Sequence, residues 1–151
     1  VHAFGETAPI IRIGGIDIPH THKLAGHSDA DVALHAITDA VYGLMADGDI
    51  GSHFPPSNND FKNMDSAVFL KSAIDSLITA KGIITLIDVT IICEAPKIGP
   101  HRDVIRTRIA DICGINKGKV SVKATTTEQL GFTGRREGIA AQAIVTGLFP
   151  C

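Results

Sequence analysis

Residues 26–40 read GHSDADVALHAITDA, and the fold is organised by how this stretch is taken. Its polar opening gives way to apolar residues at Val32, so the spacing predicts a helix with Ser28 or Asp29 as N-cap. Asp31, His35 and Asp39 then recur at i, i+4 and i+8, a drift of roughly 80° that keeps them on one face. Val32, Ile37, Val41, Leu44 and Met45 supply apolar side chains without forming a clean stripe. An imidazole flanked by carboxylates at helical spacing suits a zinc ligand, one ring nitrogen on the metal and the other N–H held by an acceptor. A solvated polar face explains the same spacing, and His27 strengthens the metal reading only in part. Any further ligands come from outside this helix.

Upstream, Ile10 to Ile13 and Ile16 to Ile18 flank Gly14-Gly15, a hairpin signal. Downstream, residues 47–64 (DGDIGSHFPPSNNDFKNM) are rich in Gly, Pro, Asn and Ser and lack apolar periodicity, as expected of a functional lid loop. Asp65 or Ser66 is expected to cap a second helix, whose pairs Phe69/Leu70, Ala73/Ile74 and Leu77/Ile78 repeat every four residues up to Gly82. Ile83 to Cys93 is a β-branched run suited to a buried strand. Pro100 to Cys113 suits a third helix with Gly114 past its end. Lys119 to Thr125 and Ile139 to Phe149 complete the pattern as strands. Three helices and about five strands predict a single α+β (mixed α/β) domain, a sandwich of helices on one mixed sheet.

The chain has 151 residues, enough for one domain with a core that needs no disulfide or metal for stability. Fourteen basic and sixteen acidic residues leave a formal charge of -2, which disfavours nucleic acid and membrane surfaces as partners. Cys93, Cys113 and Cys151 are odd in number and lack C-x-x-C spacing, pointing to a reducing, cytosol-like compartment. No transmembrane or signal segment is evident. Because Val1-His2-Ala3-Phe4 opens inside apolar sequence, the natural N-terminus is expected to have been trimmed.

Three tracts carry further chemistry. Residues 123–138, KATTTEQLGFTGRREG, combine threonines, an acid, glycines and arginines just after a predicted strand. Hydroxyls and backbone N–H groups at such a junction can hold phosphate oxygens, and a nearby Glu can anchor Mg²⁺ or Mn²⁺. The same Thr125-Thr126-Thr127-Glu128 also fits a capping box. The loop Cys93 to Gly99 (CEAPKIG) follows the buried strand at its C-terminal end, a common ligand-facing position, although Lys97 alone reads as a surface lysine. Asp49-Ile50-Gly51 by itself is a turn.

In this order the tracts resemble the 2-C-methyl-D-erythritol 2,4-cyclodiphosphate synthases of the non-mevalonate isoprenoid pathway. The matching residues are VHAF at 1–4, IGG at 13–15, HSDADVALHAITDA at 27–40 and GDIG at 48–51. FPPS at 54–57, DVTIICEAPKI at 88–98 and KATTTEQLGFTGRREGIA at 123–140 complete the match, which spans essentially the whole chain. The resemblance implies a ferredoxin-like sandwich, a homotrimer with active sites at subunit interfaces, and a phosphorus-oxygen lyase that releases CMP from a cytidine diphosphate substrate. It implies one Zn²⁺ per subunit on His2 and His35, with an Asp ahead of Val1 as third ligand, and Mg²⁺ or Mn²⁺ on Glu128. His27 and Thr126 are implied as transition-state stabilisers, with His27 and Ser28 touching phosphates. Val1, His2, Asp49, Ile50, Gly51 and the tract Phe54, Pro55, Pro56, Ser57, Asn58 are implied to meet the sugar and phosphate end. FPPSN stands where an FPDTD-like tract is commoner, so positions 56 and 58 lack its acids.

Cys93, Glu94, Ala95, Pro96, Lys97, Ile98 and Gly99, with Thr125, Thr126, Thr127 and Glu128, are implied to form the cytidine side. Phe132 and Arg135 are implied to lie near the trimer axis, where related enzymes hold an isoprenoid diphosphate. Asp39 is expected as a partner of His35. Bacterial cytoplasm and plastid stroma both suit such an enzyme. Two alternatives remain: a trimeric binding protein for nucleotides or isoprenoid diphosphates, and a structural domain, which requires His2, His27 and His35 to lie far apart.

Overall fold

A computed structural model describes residues 1–150; Cys151 lies outside them. The strands are β1 (His2–Thr7), β2 (Ile10–Ile13), β3 (Ile16–Pro19), β4 (His22–Leu24), β5 (Ile83–Ile92), β6 (Val120–Thr125) and β7 (Gly138–Leu148). The helices are α1 (Val32–Met45), α2 (Ile50–His53), α3 (Ser66–Thr79), α4 (Arg102–Cys113) and α5 (Gly131–Gly134). One mixed sheet has the order β4-β1-β7-β5-β6. The hairpin β2-β3 forms a sheet of its own rather than joining it.

Ile84, Ile87, Val89 and Ile91 of β5 are buried under the helices. α1 lies on β5 and β7, α3 packs on α1 and α4, and α4 packs on β6. Because β5 and β6 run parallel, the chain must cross over between them, and α4 is that crossover. The opposite sheet face exposes Ile83, Leu86, Ile144 and Leu148. Among the described residues no helix is long and apolar enough to cross a membrane.

The predicted hairpin is present, with Gly14 and Gly15 at φ +65° and +76°, values that only glycine adopts without strain. Its turn explains a correction to the start of α1. The N-cap is Asp31, not Ser28 or Asp29. The fully buried Asp31 carboxylate accepts from the N–H groups of Ala33 and Leu34, and also from Gly14 at 2.8 Å and Gly15 at 2.6 Å. Asp31 therefore faces the hairpin and shares no solvent face with His35. Burial pushes its carboxyl up to about 6, with the N–H donors opposing that rise.

Residues 47–64 are more ordered than their composition implied, holding α2 and a 3₁₀ turn at Asn59–Phe61. Asp39 accordingly does not pair with His35; its carboxylate accepts the Ile50 N–H at 2.8 Å and tethers α2. The His53 ring stacks on Tyr42 with centroids 3.9 Å apart. α4 begins at Arg102 after a 3₁₀ turn at Gly99–His101, later than expected from Pro100, and Gly114 at φ +63° ends it. β1, β4 and α5 were not anticipated. β1 shifts register midway along β4, and β4 has three residues, so neither shows an alternating pattern.

Candidate functional site

Two clefts gather most of the chemistry. In the first, β1 and α1 bring His2 and His35 together, with His2 Nε2 2.9 Å from His35 Nδ1. The approach of β1 to β7 depends on Gly138, where a Cβ would sit 2.3 Å from the His2 carbonyl oxygen. His35 Nε2 lies 2.8 Å from Ser66 Oγ and 3.2 Å from Ser28 Oγ. Ser66 Oγ donates to the Asp29 carboxylate, which also accepts the Ser66 N–H at 3.2 Å. His35 Nε2, Ser66 and Asp29 thus form a chain of contacts that holds the angle of the ring.

Burial, reinforced by His2, pushes the His35 imidazole down to about 4, and burial also lowers His2. Both shifts favour the uncharged imidazole. His2 also hydrogen-bonds the Ala25 backbone. The two facing nitrogens, His2 Nε2 and His35 Nδ1, are close enough either to share one proton or to take one cation together. Neutral nitrogens so opposed suit a shared cation. Among the described residues no third His, Cys, Asp or Glu joins them in a ligand cluster. The pair therefore fits as part of a metal site.

The cleft over this pair has a volume of about 360 Å³. Of the expected residues, His2, His27, Ser28, His35, Ile50, Gly51, Phe54, Pro56 and Asn58 line it. The proximity of His2, His27 and His35 removes the purely structural alternative. Asn59, Phe61, Lys62 and Phe69 also line the cleft and were not anticipated. Asp29 and Ser66 were missed as support for His35. Their only sequence signal is a serine just past a capping Asp65, which reads as a helix start. Asn58 Oδ1 also accepts the Asp60 N–H at 3.0 Å, capping the 3₁₀ turn.

The second cleft, about 200 Å³, is lined by Cys93, Glu94, Pro96, Lys97, Ile98 and Gly99 on one side and Thr125 and Thr126 on the other, with Arg102 and Ala124. Burial pushes the Cys93 thiol up to about 11, so it is no nucleophile at neutral pH. No helix starts at Thr125–Glu128, so the capping-box reading fails; α5 begins at Gly131 with no side-chain cap. Instead Glu128 and Gln129 adopt φ +51° and +65°. Such a conformation costs an L-residue about 1–2 kcal/mol each. Within this turn Thr126 Oγ1 donates to Glu128 Oε1 at 2.9 Å. Thr127 Oγ1 donates to the Leu130 carbonyl at 2.6 Å, so Thr127 supports the turn from within.

Strand register puts both clefts at one end of the sheet. His2 pairs with Ile139, the next residue Ala140 with Ile92, and Ile92 with Thr125. Three strand spacings separate His2 from Thr125, about 14 Å. Val1, Asp49, Pro55, Ser57, Ala95, Thr127, Glu128, Phe132 and Arg135 line neither cleft. Asp49 caps α2, accepting from the Ser52 N–H and hydroxyl, both at 2.8 Å. Arg135 pairs with Glu137 at 2.9 Å.

Residues 1–147 match the YgbB family. A relative named bifunctional enzyme IspD/IspF, from Rhizorhabdus wittichii, is 63% identical over 99% of this chain and 39% of its own length. The chain thus spans about two fifths of the curated relatives it matches. The structure of the bifunctional IspDF from Campylobacter jejuni superposes with a TM-score of 0.93 at 36% identity, covering 99% of this chain and 40% of that one. A 2C-methyl-D-erythritol-2,4-cyclodiphosphate synthase described as a CDP-bound form superposes with a TM-score of 0.88 at 26% identity, covering 97% of this chain and 95% of that one.

Proposed function

The chain belongs to the YgbB family, and from that premise we propose that it forms a cyclic diphosphate by intramolecular phosphoryl transfer. On 4-diphosphocytidyl-2-C-methyl-D-erythritol 2-phosphate, the 2-phosphate oxygen attacks the β-phosphorus. The bond from that phosphorus to the bridging oxygen breaks, and its electron pair leaves with CMP. The product is 2-C-methyl-D-erythritol 2,4-cyclodiphosphate. The observation that carries this reading is the pair of imidazoles, His2 and His35, facing each other at 2.9 Å in the wall of the first cleft.

The obstacle is charge. Two like charges at ~4 Å repel by roughly 1 kcal/mol in water and roughly 4 kcal/mol at an effective dielectric of ~20. Positioning and electrostatics therefore matter more than an acid or base. His2 and His35 fit as two ligands of Zn²⁺ and Glu128 as the carboxylate for Mg²⁺ or Mn²⁺; the third zinc ligand, expected ahead of Val1, lies outside the sequence. When bound, these ions neutralise phosphate oxygens. His27 and Ser28 donate to the phosphates from the rim of the first cleft. Thr126 donates to the departing cytidylate phosphate, exchanging its present bond to Glu128 for one to substrate.

Val1, Asp49 to Gly51 and Phe54 to Asn58 hold the erythritol end, while Cys93 and Ala95 to Gly99 with Thr125 hold the cytidine. The bare apolar sheet face, with Ile83, Leu86, Ile144 and Leu148, supports a homotrimer with interfacial sites. Phe132 and Arg135 then belong near its axis, where an isoprenoid diphosphate is a further ligand. The bacterial cytoplasm suits such an enzyme, as does a plastid stroma. Phosphorus NMR of the protein with substrate, Zn²⁺ and Mg²⁺ tests the reading: CMP and a cyclic diphosphate are expected. Binding of CDP without CMP release would leave only the binding-protein alternative.

A further inference from the structure

Glu94 reaches from the loop after β5 to the turn after β6. Its Oε1 accepts the N–H of Thr127 at 3.2 Å and the N–H of Gln129 at 3.3 Å. The residue between those amides is Glu128, and Glu128 and Gln129 are consecutive non-glycine residues in the left-handed region, at φ +51° and +65°. A turn with two such residues persists only where its surroundings over-determine it. From the inner side it is braced by Thr127, whose hydroxyl lies 2.9 Å from that of the buried Thr133. Gly134 also permits close approach, since a Cβ there would sit 2.2 Å from the Gln129 carbonyl carbon. From the cleft side, the brace is the Glu94 carboxylate.

We infer that Glu94 is a positioning residue, a clamp that holds the 126–129 turn so that Thr126 and Glu128 are presented together, and that it does not act by touching substrate. The geometry fits that role in three ways. One oxygen takes both amides, so it fixes their separation as well as their direction. Both amides flank Glu128, so the clamp sets where that side chain leaves the backbone. The clamp also joins the two sides of the second cleft, loop 93–99 and turn 125–129, which are otherwise linked here by the β5–β6 ladder and the Cys93 N–H to Thr125 carbonyl bond. The consequence for turnover rests on the function proposed above; the clamp itself does not.

Three variants separate geometry from charge. Glu94→Gln keeps a carbonyl oxygen at the same reach, Glu94→Asp keeps the charge but is one methylene short, and Glu94→Ala removes both. Amide hydrogen exchange on the purified protein is the direct readout. In the Asp and Ala variants the Thr127 and Gln129 amides are expected to exchange at least about ten-fold faster, while the β5 and β6 ladders stay protected. The Gln variant should retain protection. Turnover should fall about ten-fold or more in the Asp and Ala variants with KM for substrate changed far less, and Gln should restore it.

Unchanged exchange at Thr127 and Gln129 in the Asp variant would overturn the clamp. Faster exchange with unchanged kcat would overturn its catalytic purpose. Loss of turnover in Glu94→Gln with both amides protected would show that Glu94 touches substrate, again against the proposal. If the unaltered protein releases no CMP, the cyclase reading fails while the exchange result still judges the clamp.

Discussion

The wall built from β1, the hairpin turn and the start of α1 differs in kind from the turn and loop of the second cleft. In the first, the polar groups are buried or half-buried and have several partners: Asp31 takes four N–H groups, and His35 is held through Ser66 to Asp29. In the second, backbone strain at Glu128 and Gln129 is held by N–H groups donating to a partly exposed carboxylate and by the contact of two threonine hydroxyls. Buried networks are stiff and fail all at once when one member is lost. Strained turns at the surface fail by degrees. The first region suits fixed cation ligands, and the second suits groups that exchange one hydrogen bond for another during a reaction.

The sharpest test of this contrast is His35→Ala. It should lower both zinc retained per chain and turnover by more than about 100-fold, the upper range for merely perturbing a ligand's partner. Metal analysis after dialysis checks it, and near-full zinc content would break the assignment.

Next comes Asp31, where pH separates two opposing effects. Its folded value is about 6 against 3.8 for the free group, so between those values the folded state binds the extra proton. Stability from this group is therefore full below about pH 4 and declines as pH rises through 6. Relative to Asp31→Asn, which does not titrate, the wild type should lose up to about 3 kcal/mol across that window in urea unfolding. A difference that instead grows with pH would mean that the four N–H donors outweigh burial.

In the second region, Thr126→Ala should lower kcat by about 10- to 100-fold with a smaller change in KM, because its donor matters most as the cytidylate leaves. Equal effects on both would contradict that timing. The smallest effect belongs to the end of α2, outside both clefts. His53→Ala removes the stack on Tyr42 and should cost about 1 kcal/mol of stability, read from the unfolding midpoint.

Elements with their own periodicity were legible in the sequence: the Gly14-Gly15 hairpin, the α3 pairs and the β-branched β5 run each follow from local pattern. Elements too short to repeat their period were not, as β4 and α2 illustrate. The start of α1 was misplaced because its cap is decided by a hairpin turn packed against it, a tertiary demand that the residues from Ser28 to Asp31 do not reveal. The site shows the same division. His2, His27 and His35 could be named from motif order, and the structure brings them to one cleft. Ser66 and Asp29 became visible only once α3 was packed beside α1. Asp39 looked like a histidine partner because helical spacing says which face a residue occupies, but not which loop folds over that face.

The Asp31 carboxylate also has a bearing on how the chain finds its fold. The bonds to Gly14 and Gly15 span only 17 and 16 positions of sequence, whereas the β5–β7 pairs, Ile92 with Ala140 to Ile83 with Leu148, span 48 to 65. Closing the shorter loop costs less entropy, so hairpin and helix start can form an early nucleus before the sheet assembles. His35 lies one turn beyond that nucleus, which makes half of the imidazole pair among the first functional side chains to be placed.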